Sequence, residues 1–314
     1  MREGYHWQGP LHQANVAFFP LYPLLGKLVD IIVHNDKLAL FLISNFSFVA
    51  FCLILYRFIK NETNQRIALK TIFYLCLFPL SFVFSATYTE SLFLLLVVSC
   101  LFLGRKKHWF WAAIFGFLAS LTRFNGLVLF FVLPVLYKQT EKVWKKNLLW
   151  LLLIPLGTLL FIFYLQFKVG DGLAFYKVLA AWKILTVPPW ILILEMLKFL
   201  FLTSSYSYFF AIAIFDLLTV ILFIFLLLFA RNRLTSDLFL YSFLMLIMAL
   251  TKMWNPLFFY PAGSVSRYLM EAFPLFLVLA KLGKNPFIHY LYIFLCAILL
   301  GPLALSFFTG LWVF

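Results

Sequence analysis

The feature that most constrains this chain is the recurrence of long apolar runs with almost no charge inside them. Leu38–Tyr56 carries no charged residue, Tyr208–Ala230 carries Asp216 as its one charge, and Phe287–Phe314 carries none. Runs of about 17–25 apolar residues match the hydrocarbon thickness of a bilayer. Only 11% of the residues are charged and mean hydropathy is +1.02, whereas a soluble domain carries roughly 25% charge. The sequence therefore predicts an all-α polytopic membrane helix bundle. A net charge of +14 would suggest nucleic acid in a soluble protein. Here the Lys and Arg residues gather in short loops between apolar runs, so membrane lipid headgroups are the expected partners and nucleic acid is not.

Apolar runs fall at Leu38–Ile59, Ile67–Phe84, Tyr88–Leu103, Leu148–Phe167, Tyr208–Ala230, Leu238–Trp254, Tyr268–Leu282 and Phe287–Trp312, with a shorter pair at Trp109–Leu121 and Leu127–Tyr137. That predicts about ten spans within one transmembrane domain over residues 1–314. Residues 1–37, interrupted by Pro10, Pro20 and Pro23, read as an interfacial loop with short amphipathic helices. Residues 170–207 form a second amphipathic segment, in which Glu195 and Lys198 argue for lying on the membrane.

The basic loops set an expected orientation. Arg57, Lys60, Arg66 and Lys70, then Arg105, Lys106 and Lys107, then Lys138, Lys142, Lys145 and Lys146, then Arg231 and Arg233, then Lys281 and Lys284, all fall on alternate loops. The positive-inside rule makes that face cytoplasmic. Residues 1–37, SATYTES, TRFNG, residues 170–207 and KMWNPLFFYPAGSVSRY then share the extracytoplasmic face. A first span running inward leaves residues 1–37 to be translocated without a preceding signal or anchor, so a leading helix is expected upstream. Inverted or direct repeats, the mark of many transporters, are not evident.

Several polar residues in this setting need a reason. Thr87-x-x-Glu90 has capping-box spacing, which competes with a catalytic role for the carboxylate. Arg123 is expected at the end of an outward-running helix, with Asn125-Gly126 supplying a left-handed cap; Lys252 ends another. Arg267 is expected in the first turn of an inward helix, where its charge opposes the dipole and an acidic ligand would resolve the conflict; pairing with Glu271 is the alternative. Glu271 and Asp216 are carboxylates inside apolar runs, which are functional candidates in a membrane or else ties to a neighbouring helix. The histidines His6, His12, His34, His108 and His289 lack metal-ligand spacing, and His12 is kept as a polar substrate contact. The cysteines Cys52, Cys76, Cys100 and Cys296 each sit alone in apolar runs and read as packing residues. No metal and no cofactor is expected.

AFFPLYPLL (17–25), FPLSFVFSATYTESLF (78–93), LTRFNGL (121–127), GDGLAFYKVLAAWK (170–183) and SRYLMEAFPLFLVLA (266–280), in that order, resemble the PIG-V family of mannosyltransferases. The resemblance covers essentially the whole chain. It implies a multi-span GT-C enzyme that moves mannose, on the extracytoplasmic face and with inversion, from a polyprenyl-phosphate sugar donor to a lipid or glycan acceptor. Arg123, Lys252 and Arg267 would hold the donor phosphate, and His12, Tyr22, Tyr88, Asn125, Tyr268 and Glu271 would border the substrates. Members of that family usually carry a Trp-Asp motif about ten residues before the position matched by Glu3-Gly4-Tyr5, and the resemblance implies that its Asp is the catalytic residue. This sequence lacks it, so the same leading helix is expected to carry it, and Glu90 is the remaining catalytic candidate. The alternative is a catalytically silent membrane subunit that binds lipid phosphates or a membrane partner subunit, and behind it a transporter.

Overall fold

In the computed structural model, residues 4–141, 146–202, 208–257 and 260–310 are described. The readings that fall on Glu3, Lys142, Lys145, Phe258, Phe259, the stretch up to Ser207 and Trp312 lie outside them. The chain is an all-α helix bundle of membrane type. Its helices are α1 Leu21–Val33, α2 Asp36–Glu62, α3 Gln65–Leu77, α4 Glu90–Arg105, α5 Trp109–Thr122, α6 Val128–Glu141, α7 Leu153–Val169, α8 Ala174–Lys177, α9 Pro189–Leu202, α10 Tyr208–Ala230, α11 Ser236–Leu250, α12 Val265–Leu269, α13 Pro274–Leu282 and α14 Pro286–Phe308. Two three-residue strands, β1 Ile184–Thr186 and β2 Lys252–Trp254, pair antiparallel with Leu185 opposite Met253.

Four stretches among the described residues are helical, long and apolar enough to cross a membrane: Asp36–Glu62, Lys146–Val169, Tyr208–Ala230 and Pro286–Phe308. Three of the other expected runs are interrupted by breaks that hydropathy alone does not show. The run Ile67–Phe84 stops as an α-helix at Leu77, because Pro79 cannot continue the hydrogen-bond ladder, and resumes as a 3-10 turn over Ser81–Ser85. The run Leu238–Trp254 ends as helix at Leu250 and turns into β2. The run Tyr268–Leu282 is divided between α12 and α13, with Pro274 starting the second piece.

The chain divides into two compact units, residues 1–68 with 83–178, and residues 69–82 with 179–314. In the first, α4 lies against α2 and α5, and α5 lies against α7. The approach of α5 to α7 depends on small residues: a side chain at Gly157 would strike Ser120 and the Phe117 carbonyl, and Ser120 Oγ donates across to Ile154 O at 2.7 Å. Such close backbone packing is what holds helices together where lipid competes for apolar surface. Asn35 caps α2 by accepting from the Leu38 amide at 3.0 Å, and Asp36 adds a carboxylate in the first turn. The helix α1 exposes Leu24, Leu28, Ile31 and Ile32 while burying Tyr22 and Gly26.

In the second unit α10 packs against α9, α11, α12 and α13. The helix α9 exposes Trp190, Leu194, Phe201 and Leu202, and pairs Glu195 with Lys198 at 2.5 Å. The helix α14 is tied to α3 by hydrogen bonds: Tyr74 Oη meets His289 Nδ1 at 2.8 Å, and Tyr292 Oη donates to Tyr74 O at 2.7 Å.

Candidate functional site

Glu90, Arg123, Asn125, His12, Tyr22 and Tyr88 belong to the first unit; Lys252, Arg267, Tyr268 and Glu271 belong to the second. In the first unit Glu90 opens α4, with Thr89 as its N-cap residue and no side-chain capping bond. The capping box expected from Thr87 and Glu90 is thus not formed. The carboxylate instead pairs with Arg123, Nη1 to Oε1 at 2.8 Å, and the same nitrogen donates to Thr89 Oγ1 at 2.9 Å. The guanidinium offers this buried carboxylate a compensating full charge, which a backbone amide cannot.

Arg123 reaches Glu90 because the chain leaves α5 in an extended conformation at Arg123, φ −152°, and re-enters a 3-10 turn over Phe124–Leu127. The left-handed cap expected at Asn125-Gly126 does not occur, since neither residue has positive φ. Gly126 serves close packing instead: a Cβ there would sit 2.5 Å from the Ala119 carbonyl carbon. Asn125 is buried within the same turn. Around this pair, Tyr22 Oη bonds Ser44 Oγ at 2.7 Å and donates to Leu40 O at 3.1 Å, and Ser44 Oγ donates to Tyr88 O at 3.1 Å. Ser44 therefore joins α1, α2 and the SATYTES corner. Burial, and to a lesser degree the nearby Glu90 charge, pushes the Tyr22 phenol up to about 12 against the opposing Ser44 hydrogen bond. His12 lies apart from this network, exposed on the turn closed by His12 N to Gly9 O at 3.3 Å.

In the second unit a β-ladder carries the cation. Pairing of Thr186 with Lys252 fixes the start of β2, and the chain then folds back through Gly263, whose φ of +53° suits glycine and whose missing side chain leaves room for Trp254. That return brings α12 beside β2. Lys252 Nζ lies 4.9 Å and Arg267 Cζ 5.0 Å from the centroid of the Tyr268 ring, and Arg267 Nη2 donates to Tyr268 Oη at 3.2 Å. Two cations thus converge on one aromatic side chain, each within cation–π distance. Arg267 sits in the last turn of a five-residue helix, not at the start of a long inward one, so opposition to a helix dipole is not what marks it. Glu271 falls in the break before α13, fully buried, and its carbonyl accepts from Tyr241 Oη at 2.9 Å.

Sequence reasoning does not single out Thr89, Ser44, Tyr241 or Ser266, whose hydroxyls fix these groups. The one advance signal is Asp216, whose Oδ1 accepts from Ser266 Oγ. Among the described residues no three His, Cys, Asp or Glu side chains gather to hold a metal.

The fold and these sites define an all-α membrane helix bundle with a buried ion pair at Glu90 and Arg123 and an aromatic-centred cation cluster at Tyr268. No protein-family model matches the chain. It is similar to GPI mannosyltransferase 2 of Schizosaccharomyces pombe, 31% identical over 137 residues, which is 41% of this chain and 29% of that protein. The matched stretch thus spans under a third of the relative's length. Among solved structures it is similar to the Archaeoglobus fulgidus oligosaccharyltransferase in complex with zinc and sulfate, at 16% identity and a TM-score of 0.48, covering 92% of this chain and 44% of that one. The same enzyme tethered to an acceptor peptide scores 0.46 at 12% identity, covering 94% and 46%.

Proposed function

We propose that the chain is a membrane glycosyltransferase of the GT-C type, resembling the PIG-V mannosyltransferases, that moves mannose from a polyprenyl-phosphate carrier to a lipid or glycan acceptor on the extracytoplasmic face. The observation that carries the reading is the convergence of Lys252 and Arg267 on Tyr268. Two like charges held by one ring repel one another, and a phosphate between them turns that repulsion into binding. In the reaction the acceptor hydroxyl attacks the anomeric carbon, the bond from that carbon to the phosphate oxygen breaks with inversion, and the acceptor proton passes to a carboxylate base. The leaving polyprenyl phosphate gains negative charge as the bond breaks, and the Lys252 and Arg267 cations stabilise it as it develops. Tyr268 supplies a flat face for the sugar. Similarity to the Schizosaccharomyces pombe mannosyltransferase supports mannose as the sugar.

Arg123 and Glu90 take a different part in this scheme. Arg123 is engaged by Glu90 and Thr89 in the first unit, whereas Lys252 and Arg267 meet at Tyr268 in the second, and the donor phosphate is assigned to that second group. Glu90 is 2% exposed and held by a guanidinium, which suits a counterion better than a base that must present an oxygen to the acceptor. The test is transfer of radiolabelled mannose from polyprenyl-phosphate mannose to lipid or glycan product in membranes containing the full protein. Arg267→Ala and Lys252→Ala are each expected to lose about 10²-fold or more of the rate, the scale of removing one group that stabilises developing charge. Wild-type turnover in both variants would overturn the assignment, and absence of transfer by the wild-type protein would favour a lipid-phosphate-binding subunit.

A further inference from the structure

A carboxylate deep in a membrane-spanning helix is costly and marks a function or a required tie. Asp216 lies in α10, one of the four spans, and is 2% exposed. Its Oδ1 accepts a hydrogen bond from Ser266 Oγ, and Ser266 is itself 1% exposed. A helical serine normally turns its hydroxyl back to its own backbone; Ser266 spends it on another helix, next to Arg267.

The short helix α12 needs such an anchor. It has five residues, barely more than one turn. Helices this short are not self-supporting. Two side chains from outside secure the segment: Asp216 from α10 at Ser266, and Tyr241 from α11 at the Glu271 carbonyl, 2.9 Å. Arg267 and Tyr268 lie between these two fixed points. The buried Tyr260 phenol is held well above its ordinary pKa, by burial first and by the Asp216 charge second, so it stays protonated.

We propose that Asp216 is a positioning residue: through Ser266 it fixes Arg267 and Tyr268 against Lys252 in the arrangement that receives the donor phosphate. The proposal rests on the donor-phosphate reading above and adds the residue that presets its geometry. Asp216 does not touch the ligand and acts through the Ser266 hydroxyl.

The probe is dodecyl phosphate, a phosphate monoester on a single chain, titrated into the full-length protein in nonionic detergent. Ser266→Ala and Asp216→Ala are expected to weaken its binding about tenfold, the scale of one hydrogen bond to a charged group. Ser266→Thr and Asp216→Asn keep a donor and an acceptor and are expected to bind within about twofold of wild type. Ser266→Ala removes one oxygen and carries the test even if Asp216→Ala does not fold. Ser266→Ala binding like wild type, with Arg267→Ala weakened, would overturn the positioning role alone. If wild type does not bind dodecyl phosphate, or Arg267→Ala binds equally well, the donor-phosphate reading fails. Positioning is then decided by hydrogen exchange over residues 264–271: faster exchange in Ser266→Ala that is restored in Ser266→Thr supports it, and unchanged exchange overturns it.

Discussion

Replacing Glu90 by alanine isolates the buried ion pair that organises the first unit. Arg123 keeps 14% of its side-chain surface and Glu90 2%, so the variant leaves a guanidinium mostly out of water with Thr89 as a neutral partner. Breaking one side of a buried pair costs about 3–5 kcal/mol; the partial exposure of Arg123 places this case at the lower end, about 3 kcal/mol. For a chain of this size each kcal/mol moves the melting temperature by about 2 °C, so a fall of about 6 °C is expected. The assay is thermal unfolding of the detergent-solubilised protein at one fixed heating rate, because membrane proteins often unfold irreversibly. Glu90→Leu combined with Arg123→Met removes both charges together and is expected to recover most of the loss. A single variant melting within about 1 °C of wild type, or a double variant at the sum of the singles, would refute the reasoning that the pair is a desolvated, mutually dependent unit.

Gly263→Ala forces a side chain into a position with φ +53° and 2.5 Å from Trp254 Cδ1; destabilisation of about 1–3 kcal/mol by chemical unfolding is expected, together with weaker dodecyl phosphate binding, because β2 carries Lys252. Tyr74→Phe removes the hydroxyl that meets His289 Nδ1 and is expected to speed hydrogen exchange in the first turns of α14 while leaving α4 unchanged; equal exchange in both would show that this bond does not dock α14. The Asp171 carboxyl is held below its ordinary range, first by its hydrogen bond from Lys177, at 2.5 Å, and also by the Leu173 amide. A depressed folded pKa gives stability that is present above the ordinary value of 3.8 and lost as pH falls through the lower folded one. Protease nicking of the 170–178 segment is therefore expected to be faster in Asp171→Asn than in wild type at neutral pH, and the difference is expected to shrink in acid.

The apolar runs are legible because length and hydropathy decide what can lie in a bilayer, and Leu38–Ile59 and Tyr208–Ala230 match α2 and α10 closely. The breaks are less so. Pro79 and Pro274 are visible as residues, but whether a proline kinks or ends a span depends on what satisfies the freed carbonyls. The β1–β2 ladder joins residues on either side of α9, α10 and α11, a pairing no local pattern announces. Among the candidates, Arg267, Lys252 and Tyr268 do come together. Spacing alone gives Glu90 its nearest capping partner, whereas its actual partner lies in another helix-turn segment, where spacing carries no information. Ser44 and Ser266 escape notice because an isolated serine in an apolar run looks like any small packing residue until its acceptor is known.

The attachment of α14 bears on the order in which the protein assembles. Only 11% of its most apolar window is buried, so the helix gains little apolar contact by joining its unit, and lipid serves its surface as well as protein does. Its apolar length is enough to bring it into the bilayer on its own, and what then selects its place is the pair of hydrogen bonds at Tyr74, His289 and Tyr292. Insertion and docking are thereby separated: the first is driven by solvent partition and the second by a few directional contacts. An α14 stripped of those contacts would still be inserted and kept near α13 by the short link over residues 283–285, but it would lose its fixed place against α3.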